Sequence, residues 1–320
     1  MQAIVVHEFG GPEVLKLESI PDPVPEAGEV VVRMKAVGIN PVETYQRAGS
    51  QGYNRPRPFT PGADGAGIVE AVGTGVTHVA PGDRVYTAGS LSGTYAELAR
   101  CTAAQVQPLP EALSFEEGAC LWINYGTAYR ALVQRGSAVA GERVLVHGAT
   151  GGVGIAAVQW ARLRGLRVLA TCGSGEGAQL LEAQGVNLRF SHRETDYAGV
   201  VLDATDGEGV DLIVEMLANV NLDRDMDMLA KRGRIVIVGS RGSIEVTPRK
   251  LMAREADVRG LMLYGASDRE VREIHSSIAA AGATGALRPV IQRTLALGEA
   301  AEAHRAVMED PSHGKLVLVP

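Results

Sequence analysis

The stretch His147-Gly148-Ala149-Thr150-Gly151-Gly152-Val153-Gly154 follows the apolar run Arg143-Val144-Leu145-Val146 and opens a segment, 153–163, with helical apolar spacing. The run before it has the character of a buried strand. A glycine-rich turn between a strand and a helix leaves unpaired N–H groups at the helix N-terminus, where a phosphate can rest. Side chains would block that approach, and a glycine at 154 also lets the helix pack closely on the sheet. The spacing is a shifted Ala-x-x-Gly-Gly-x-Gly form and not G-x-G-x-x-G. In its strand–loop–helix setting it reads as a dinucleotide-binding turn.

Beyond the turn, strands alternate with helices. Strands are expected at 166–171, 210–214, 233–239 and 260–263, and helices at 179–184 and 223–230. This alternation, running over 124–264, predicts a doubly wound parallel sheet, the Rossmann architecture. The first part, 1–123, reads differently. A β-branched run at 30–37 follows Pro21, Pro23 and Pro25, and short strands at 67–73 and 84–86 are set off by glycines and by the Pro81-Gly82-Asp83 turn. That pattern predicts an irregular β-rich domain, so the fold class is α/β with two domains. The remainder, 265–320, holds helical patterns near 268–281 and 298–309 and a strand at 316–319.

Composition narrows the function. The 320 residues carry 31 Lys+Arg and 37 Asp+Glu, a net charge of −6, which argues against a protein that coats nucleic acid by bulk charge. Cys101, Cys120 and Cys172 are too scattered for a disulfide framework. With no Cys-x-x-Cys and no His-Glu-x-x-His, no metal site is expected. The start of the chain does not read as a signal peptide, and no apolar stretch reaches about 18 residues, so a cytoplasmic location is expected. No Ser-His-Asp order points to hydrolysis. Glycine is in excess, 39 residues or about 12% against a usual ~7%. Much of that excess falls at 148–154, 173–177 and 239–242.

The choice between NAD and NADP turns on the end of the second strand, where an NAD site usually places an acid on the ribose hydroxyls. Here the chain reads Thr171-Cys172-Gly173-Ser174, with Glu176 past the turn. A small neutral turn leaves room for a 2′-phosphate, and His192-Arg193 is the candidate cation pair. NADPH is therefore the expected cofactor. For a substrate carbonyl, Asn40, Tyr45 and Tyr53 are candidate orienting residues. Asn40 before a proline can equally close a turn, and Tyr45 can equally be a packing wall. Tyr53 lies in a loop that reads as a lid. Thr127 either bonds the cofactor amide or is an ordinary helix-face residue. His147 reads as a buried hydrogen-bonded residue before a catalytic base, and Glu215 as a capping charge or a pocket residue. The remaining histidines, His304 among them, show no partner spacing.

With these residues in view, the chain resembles the zeta-crystallin type of NADPH:quinone oxidoreductase, in the zinc-independent medium-chain dehydrogenase/reductase superfamily. The resemblance covers nearly the whole length and rests on Glu8-Phe9-Gly10-Gly11-Pro12-Glu13-Val14-Leu15, Asn40-Pro41-Val42-Glu43-Thr44-Tyr45, Thr60-Pro61-Gly62, Tyr95-Ala96-Glu97, Thr127-Ala128-Tyr129-Arg130-Ala131-Leu132, the glycine turn, His192-Arg193-Glu194, Glu215-Met216-Leu217-Ala218-Asn219-Val220-Asn221-Leu222 and Val238-Gly239-Ser240-Arg241-Gly242. It implies a GroES-like catalytic domain built from 1–123 and 265–320, with the cofactor domain inserted, and a homodimer or homotetramer. It implies cofactor contacts from Tyr45, from Thr150, Gly151, Gly152 and Val153 at the pyrophosphate, and from Gly173, Ser174, His192 and Arg193 at the adenosine ribose phosphate. Asn221, Val238, Gly239, Ser240 and Arg241 complete the set, with the backbone of Leu261, Met262 and Leu263 at the nicotinamide. The lysine some quinone reductases place at the 2′-phosphate has no counterpart in 173–179.

The activity expected is NADPH-dependent reduction of a quinone, because that acceptor asks little acid–base help of the protein. Two alternatives stand beside it: reduction of the C=C bond of an enone or 2-alkenal, which needs a proton at the α carbon, and a cofactor-binding structural or RNA-binding protein with little turnover.

Overall fold

The computed structural model describes residues 1–50, 52–194 and 196–320. The chain forms two compact units, Met1–Ile123 with Ile278–Pro320, and Asn124–Ser277.

The first unit begins with an antiparallel pair, β1 (Gln2–Val5) and β2 (Lys16–Ser19). Then follow β3 (Glu29–Gly38), β4 (Asp64–Val72), β5 (Arg84–Ala88), β6 (Leu98–Thr102) and β7 (Val106–Pro108). β3 is the spine of this unit. Its Val30, Val32, Met34 and Val37 are buried while Arg33 and Lys35 face solvent, the alternation of a sheet with one covered face. After the second unit the chain supplies the last two strands, β14 (Ile291–Ala296) and β15 (Lys315–Val319), giving the order β14-β15-β3-β4-β5-β7 with β6 also on β3. β15 runs antiparallel to β3, with Val317 opposite Gly38. The core beneath gathers Ile4, Val30, Val32, Met34, Tyr95, Leu316 and Leu318.

The second unit holds β8 (Arg143–Val146), β9 (Arg167–Cys172), β10 (Leu188–Ser191), β11 (Val210–Glu215), β12 (Leu229–Ile237) and β13 (Asp257–Gly260). All pair in parallel, in the order β10-β9-β8-β11-β12-β13. The strand order reverses between β8 and β11. In open parallel sheets that switch point, at the carboxyl ends of the strands, is where ligands bind. This is the doubly wound sheet that the alternation predicts. No helix among the described residues is long and apolar enough to cross a membrane.

Two expectations shift. The helix placed at 223–230 runs instead over Ala218–Met228, and β12 already begins at Leu229. Arg232 has a left-handed φ of 63° and the β11–β12 register slips between Val210 and Leu212, so only the part after Gly233 looks like a strand in the sequence. The strand expected at 260–263 lies at Asp257–Gly260. Its polar sequence suits a sheet edge, while the apolar Leu261 adds one ladder bond to the Ile237 carbonyl at 3.0 Å before the chain turns through Leu263–Gly265.

Candidate functional site: a dinucleotide cradle and an aromatic pair

In the second unit, the turn after β8 is built as a phosphate cradle requires. Gly148 adopts φ 53°, a left-handed conformation that glycine takes without strain. Gly151 N–H donates to the Gly148 carbonyl at 3.1 Å, and extended Gly151 caps the helix Gly152–Leu163. A Cβ on Gly154 would collide with the Gly148 carbonyl, so only glycine lets the helix start this close to the turn. Thr150, Gly151, Gly152 and Val153 therefore sit around the free N–H groups of the helix's first turn. The turn fits a pyrophosphate.

The end of β9 lies alongside. A Cβ on Gly173 would stand 2.9 Å from His192 Cε1 and 3.6 Å from Arg193 Nε. The two signals that the sequence shows 19 residues apart are thus neighbours, and both side chains, His192 and Arg193, are exposed. Ser174 caps the next helix, accepting from Gly177 N–H at 3.1 Å. Burial, then the Arg193 charge, holds His192 below its ordinary pKa, so Arg193 is the permanent cation at this turn.

The segment 215–221 and the turn 238–242 are knitted together. Ala218 N–H donates to the Gly239 carbonyl at 2.9 Å, Val238 N–H to the Glu215 carbonyl at 2.8 Å, and Arg241 N–H to Asn219 Oδ1 at 2.7 Å. Ser240 and Arg241 are exposed, and Asn221 is half-buried, its Nδ2 donating to both carboxylate oxygens of Glu215 at 3.1 and 3.3 Å. Leu261 is half-buried, Met262 exposed and Leu263 buried. Thr127 is buried on the short helix Thr127–Tyr129.

Behind the cradle lies a group that spacing does not reveal. His147 at the end of β8, Glu215 at the end of β11 and Asp225 on the following helix are all buried, and a potential donor or acceptor atom of each lies within 4.8 Å of the others. His147 Nε2 is 2.9 Å from Asp225 Oδ1 and 3.5 Å from Glu215 Oε2. The Thr171 hydroxyl accepts from Gly148 N–H at 3.2 Å and meets His147 Nδ1 at 3.3 Å. A neutral imidazole whose Nδ1 accepts from the Thr171 hydroxyl and whose Nε2 donates to Asp225 satisfies both contacts. Glu215 also accepts from Leu217 N–H, just before the helix that follows it. Burial pushes Glu215 up to about 7, against the pull of His147, and pushes Asp225 up to about 7 as well. Burial keeps His147 below its usual value, in its neutral form. His147 is the buried hydrogen-bonded residue its position suggests, and Glu215 ties the end of β11 to Leu217 and Asn221.

In the first unit, Tyr45 on the helix Pro41–Ala48 and Tyr53 on the loop beyond it form a pair, with ring centroids 5.4 Å apart and planes at 51°. Both rings are half-buried. Asn40 requires a correction. It is buried, with Nδ2 donating to Glu43 Oε1 at 3.2 Å and Asp64 Oδ2 at 3.1 Å, while Oδ1 accepts from Lys315. Both amide hydrogens are spent inside the protein, so this arrangement leaves none to orient a substrate carbonyl. Asn40 is the N-cap of the Tyr45 helix, closed as a capping box by Glu43.

That box opens onto a larger buried network. Tyr95 OH donates to Glu43 Oε2 at 3.2 Å and lies 3.1 Å from His304 Nε2, and Lys315 Nζ is 3.8 Å from Asp64 Oδ2. Burial pushes Glu43 up to about 7, with Lys315 pulling it down, and lowers His304 to about 3. The Asn-Pro-x-Glu spacing could have signalled Glu43. Nothing local signals Asp64, Lys315, His304 or, in the second unit, Asp225, because each joins its partners only through the fold.

Two family models match the chain, "Zinc-binding dehydrogenase" over residues 152–280 and "Alcohol dehydrogenase GroES-like domain" over 26–111. The human protein named quinone oxidoreductase is 44% identical, covering 100% of this chain and 98% of its own. Among solved structures, the Escherichia coli quinone oxidoreductase complexed with NADPH superposes at TM-score 0.91 with 31% identity, and an NAD-dependent alcohol dehydrogenase at 0.93 with 32%. Each covers 100% of both chains.

Proposed function

Since this chain belongs to the quinone oxidoreductase family of medium-chain dehydrogenases/reductases, we propose that it reduces quinones with NADPH. The observation that carries the reading is the end of β9. No carboxylate stands at Gly173-Ser174, and Arg193 and His192 close the turn at the place of a 2′-phosphate.

When bound, the nicotinamide supplies the hydride, and the acceptor's electron affinity supplies the driving force. The chain's own residues bind and orient. The turn Thr150–Val153 takes the pyrophosphate on the unpaired N–H groups of the helix's first turn, Arg193 and His192 take the 2′-phosphate, and Val238–Arg241 with Asn221 take the nicotinamide ribose. Thr127 and the backbone over 261–263 border the carboxamide. Tyr45 and Tyr53 offer a tilted aromatic surface on which an acceptor ring stacks. Residues 1–123 and the C-terminal return form the acceptor-binding part, and the segment from 124 forms the cofactor part. Reduction of a quinone to the quinol takes the hydride and one further proton, and that proton reaches an oxygen without a dedicated acid. Reduction of an enone places the proton on the α carbon, for which the Tyr45 hydroxyl or a water would have to serve.

Initial rates on a quinone panel and an enone panel, each with NADPH and with NADH, test this. Turnover of quinones with NADPH well above NADH is the expected result. Comparable turnover with both nucleotides removes the cofactor preference, turnover of enones alone replaces the substrate class, and turnover of neither leaves a cofactor-binding protein. Tyr45→Phe should change quinone turnover by less than about threefold and slow enone turnover by about a hundredfold, the usual worth of a general acid.

The chain is further proposed to be cytoplasmic and to self-associate. β13 is a sheet edge, and Val258, Met262 and Tyr264 beside it are exposed apolar residues, a surface suited to pairing with a second copy. Light scattering decides between monomer, dimer and tetramer.

A further inference from the structure

We propose that His147, Glu215 and Asp225 act as positioning residues that share a single proton, and that this proton holds the glycine turn and the Leu217–Asn221 segment in the arrangement that binds the cofactor. The proposal rests on the NADPH reading above and extends it to residues that need not touch the cofactor.

The geometry is a continuous relay. Gly148 N–H, in the cradle, donates to Thr171, and Thr171 meets His147 Nδ1. His147 Nε2 bonds Asp225. Glu215, beside both, receives Leu217 N–H and Asn221 Nδ2. One end of the relay is the turn proposed for the pyrophosphate, and the other is the segment proposed for the nicotinamide ribose. A change in the middle is therefore felt at both.

The middle calls for a proton. Two buried carboxyls adjoin a neutral imidazole. Asp225 Oδ2 is buried with no hydrogen-bond partner, an expensive state for an ionised carboxylate. A proton between the two carboxyls removes that cost, as in other close carboxyl pairs.

Among the described residues, the surroundings do not supply a substitute. From its own helix, Arg224 acts on His147 and Asp225, but its side chain is exposed and lies 5.0 Å over the Tyr197 ring. From the helix Tyr197–Asp203, the Tyr197 ring meets His147 edge-on at 6.0 Å. From beyond β10, His192 feels His147 and is itself neutral. From β9 comes only the Thr171 hydroxyl.

Burial raises the pair into the neutral range, so the last proton the two carboxyls share is held at lower pH and lost as pH rises through that range. Losing it adds a buried negative charge next to the site of a polyanionic ligand. Cofactor binding and proton retention then favour each other, and one linked proton weakens binding by up to about tenfold per pH unit above the transition.

The test is the NADPH Kd of the whole protein by fluorescence titration from about pH 6 to 9. The 2′-phosphate has its midpoint at ~6 and is about nine-tenths ionised by pH 7, so a rise that continues from pH 7 to 9 belongs to the protein. Wild type should weaken steadily above 7. Asp225→Asn, whose amide keeps hydrogen at that position at every pH, should flatten the profile. A flat wild-type profile, or an unaltered slope in Asp225→Asn, overturns the proposal. In parallel, infrared difference spectra of the cofactor-free protein should show a protonated carboxyl band that disappears through the same pH range, and its absence also overturns the proposal. This readout stands even if the variant does not fold. If wild type binds NADPH at no pH, the cofactor reading falls and the binding half of this proposal with it, while the carboxyl band still decides the shared proton.

Discussion

Each unit buries a pair of carboxyl groups, but the two pairs are neutralised differently. In the first unit, Glu43 and Asp64 share their pocket with Lys315, so one carboxyl can ionise while the network stays neutral. In the second, Glu215 and Asp225 adjoin the neutral His147, with Arg224 acting from an exposed side chain, and the first ionisation leaves a negative charge with no buried cation beside it among the described residues. The first network draws its members from β4, the Tyr45 helix and β15, far apart in sequence. The second gathers behind a turn proposed to hold a ligand. A permanent cation makes a structural tie, whereas an exchangeable proton makes the surrounding structure sensitive to pH.

The largest expected effect breaks the first network. Lys315→Met leaves buried carboxyls without their cation and should cost about 3–5 kcal/mol. Chemical denaturation measures it, and a loss under about 1 kcal/mol would show that the cation does not hold the network. In the second unit, Glu215→Ala uncaps Leu217 N–H and releases Asn221, and should cost about 1–3 kcal/mol in the same assay. Arg193→Ala should leave stability unchanged and weaken NADPH about tenfold with little effect on NADH. Isothermal titration with both nucleotides checks this, and an equal loss for both would move the 2′-phosphate away from this turn.

The smallest and most gradual effect is a pH slope. Glu43 titrates at about 7 in the fold and near ~4.3 in an unfolded chain. Its raised value means that its contribution is fully present below the unfolded pKa and is lost as pH rises through about 7. Glu43→Gln should therefore flatten the decline of the urea midpoint over that window. His304, lowered to about 3, works in the opposite sense: its contribution is present above ~6.5, where the unfolded imidazole is neutral, and is lost as pH falls. A wild-type midpoint that rises from pH 5 to 7 would show that the histidines outweigh the carboxyls.

The doubly wound sheet was legible because its strands are apolar runs set between helical patterns and glycine turns. The cradle was legible because His147–Gly154 is contiguous. What escaped has physical reasons. β13 is a polar edge strand, and β12 is interrupted at Arg232. Asn40 looked like a donor because its residue type permits that role, but residues 24 and 275 positions away consume its amide. His304 and Asp225 carry no local signature, since periodicity records which face is buried and not which polar groups meet there.

The pairing of β15 with β3 has a consequence for synthesis. As the chain leaves the ribosome, all six strands of the parallel sheet emerge before β14 and β15. The inserted unit can therefore complete itself while the unit that began first still lacks two strands, and the Val37–Gly38 end of β3, where β15 pairs beyond β6, waits unpaired. Translation thus inverts the order of the sequence: the domain started earliest is finished last, and its open edge over that interval is where a nascent chain would most need a chaperone.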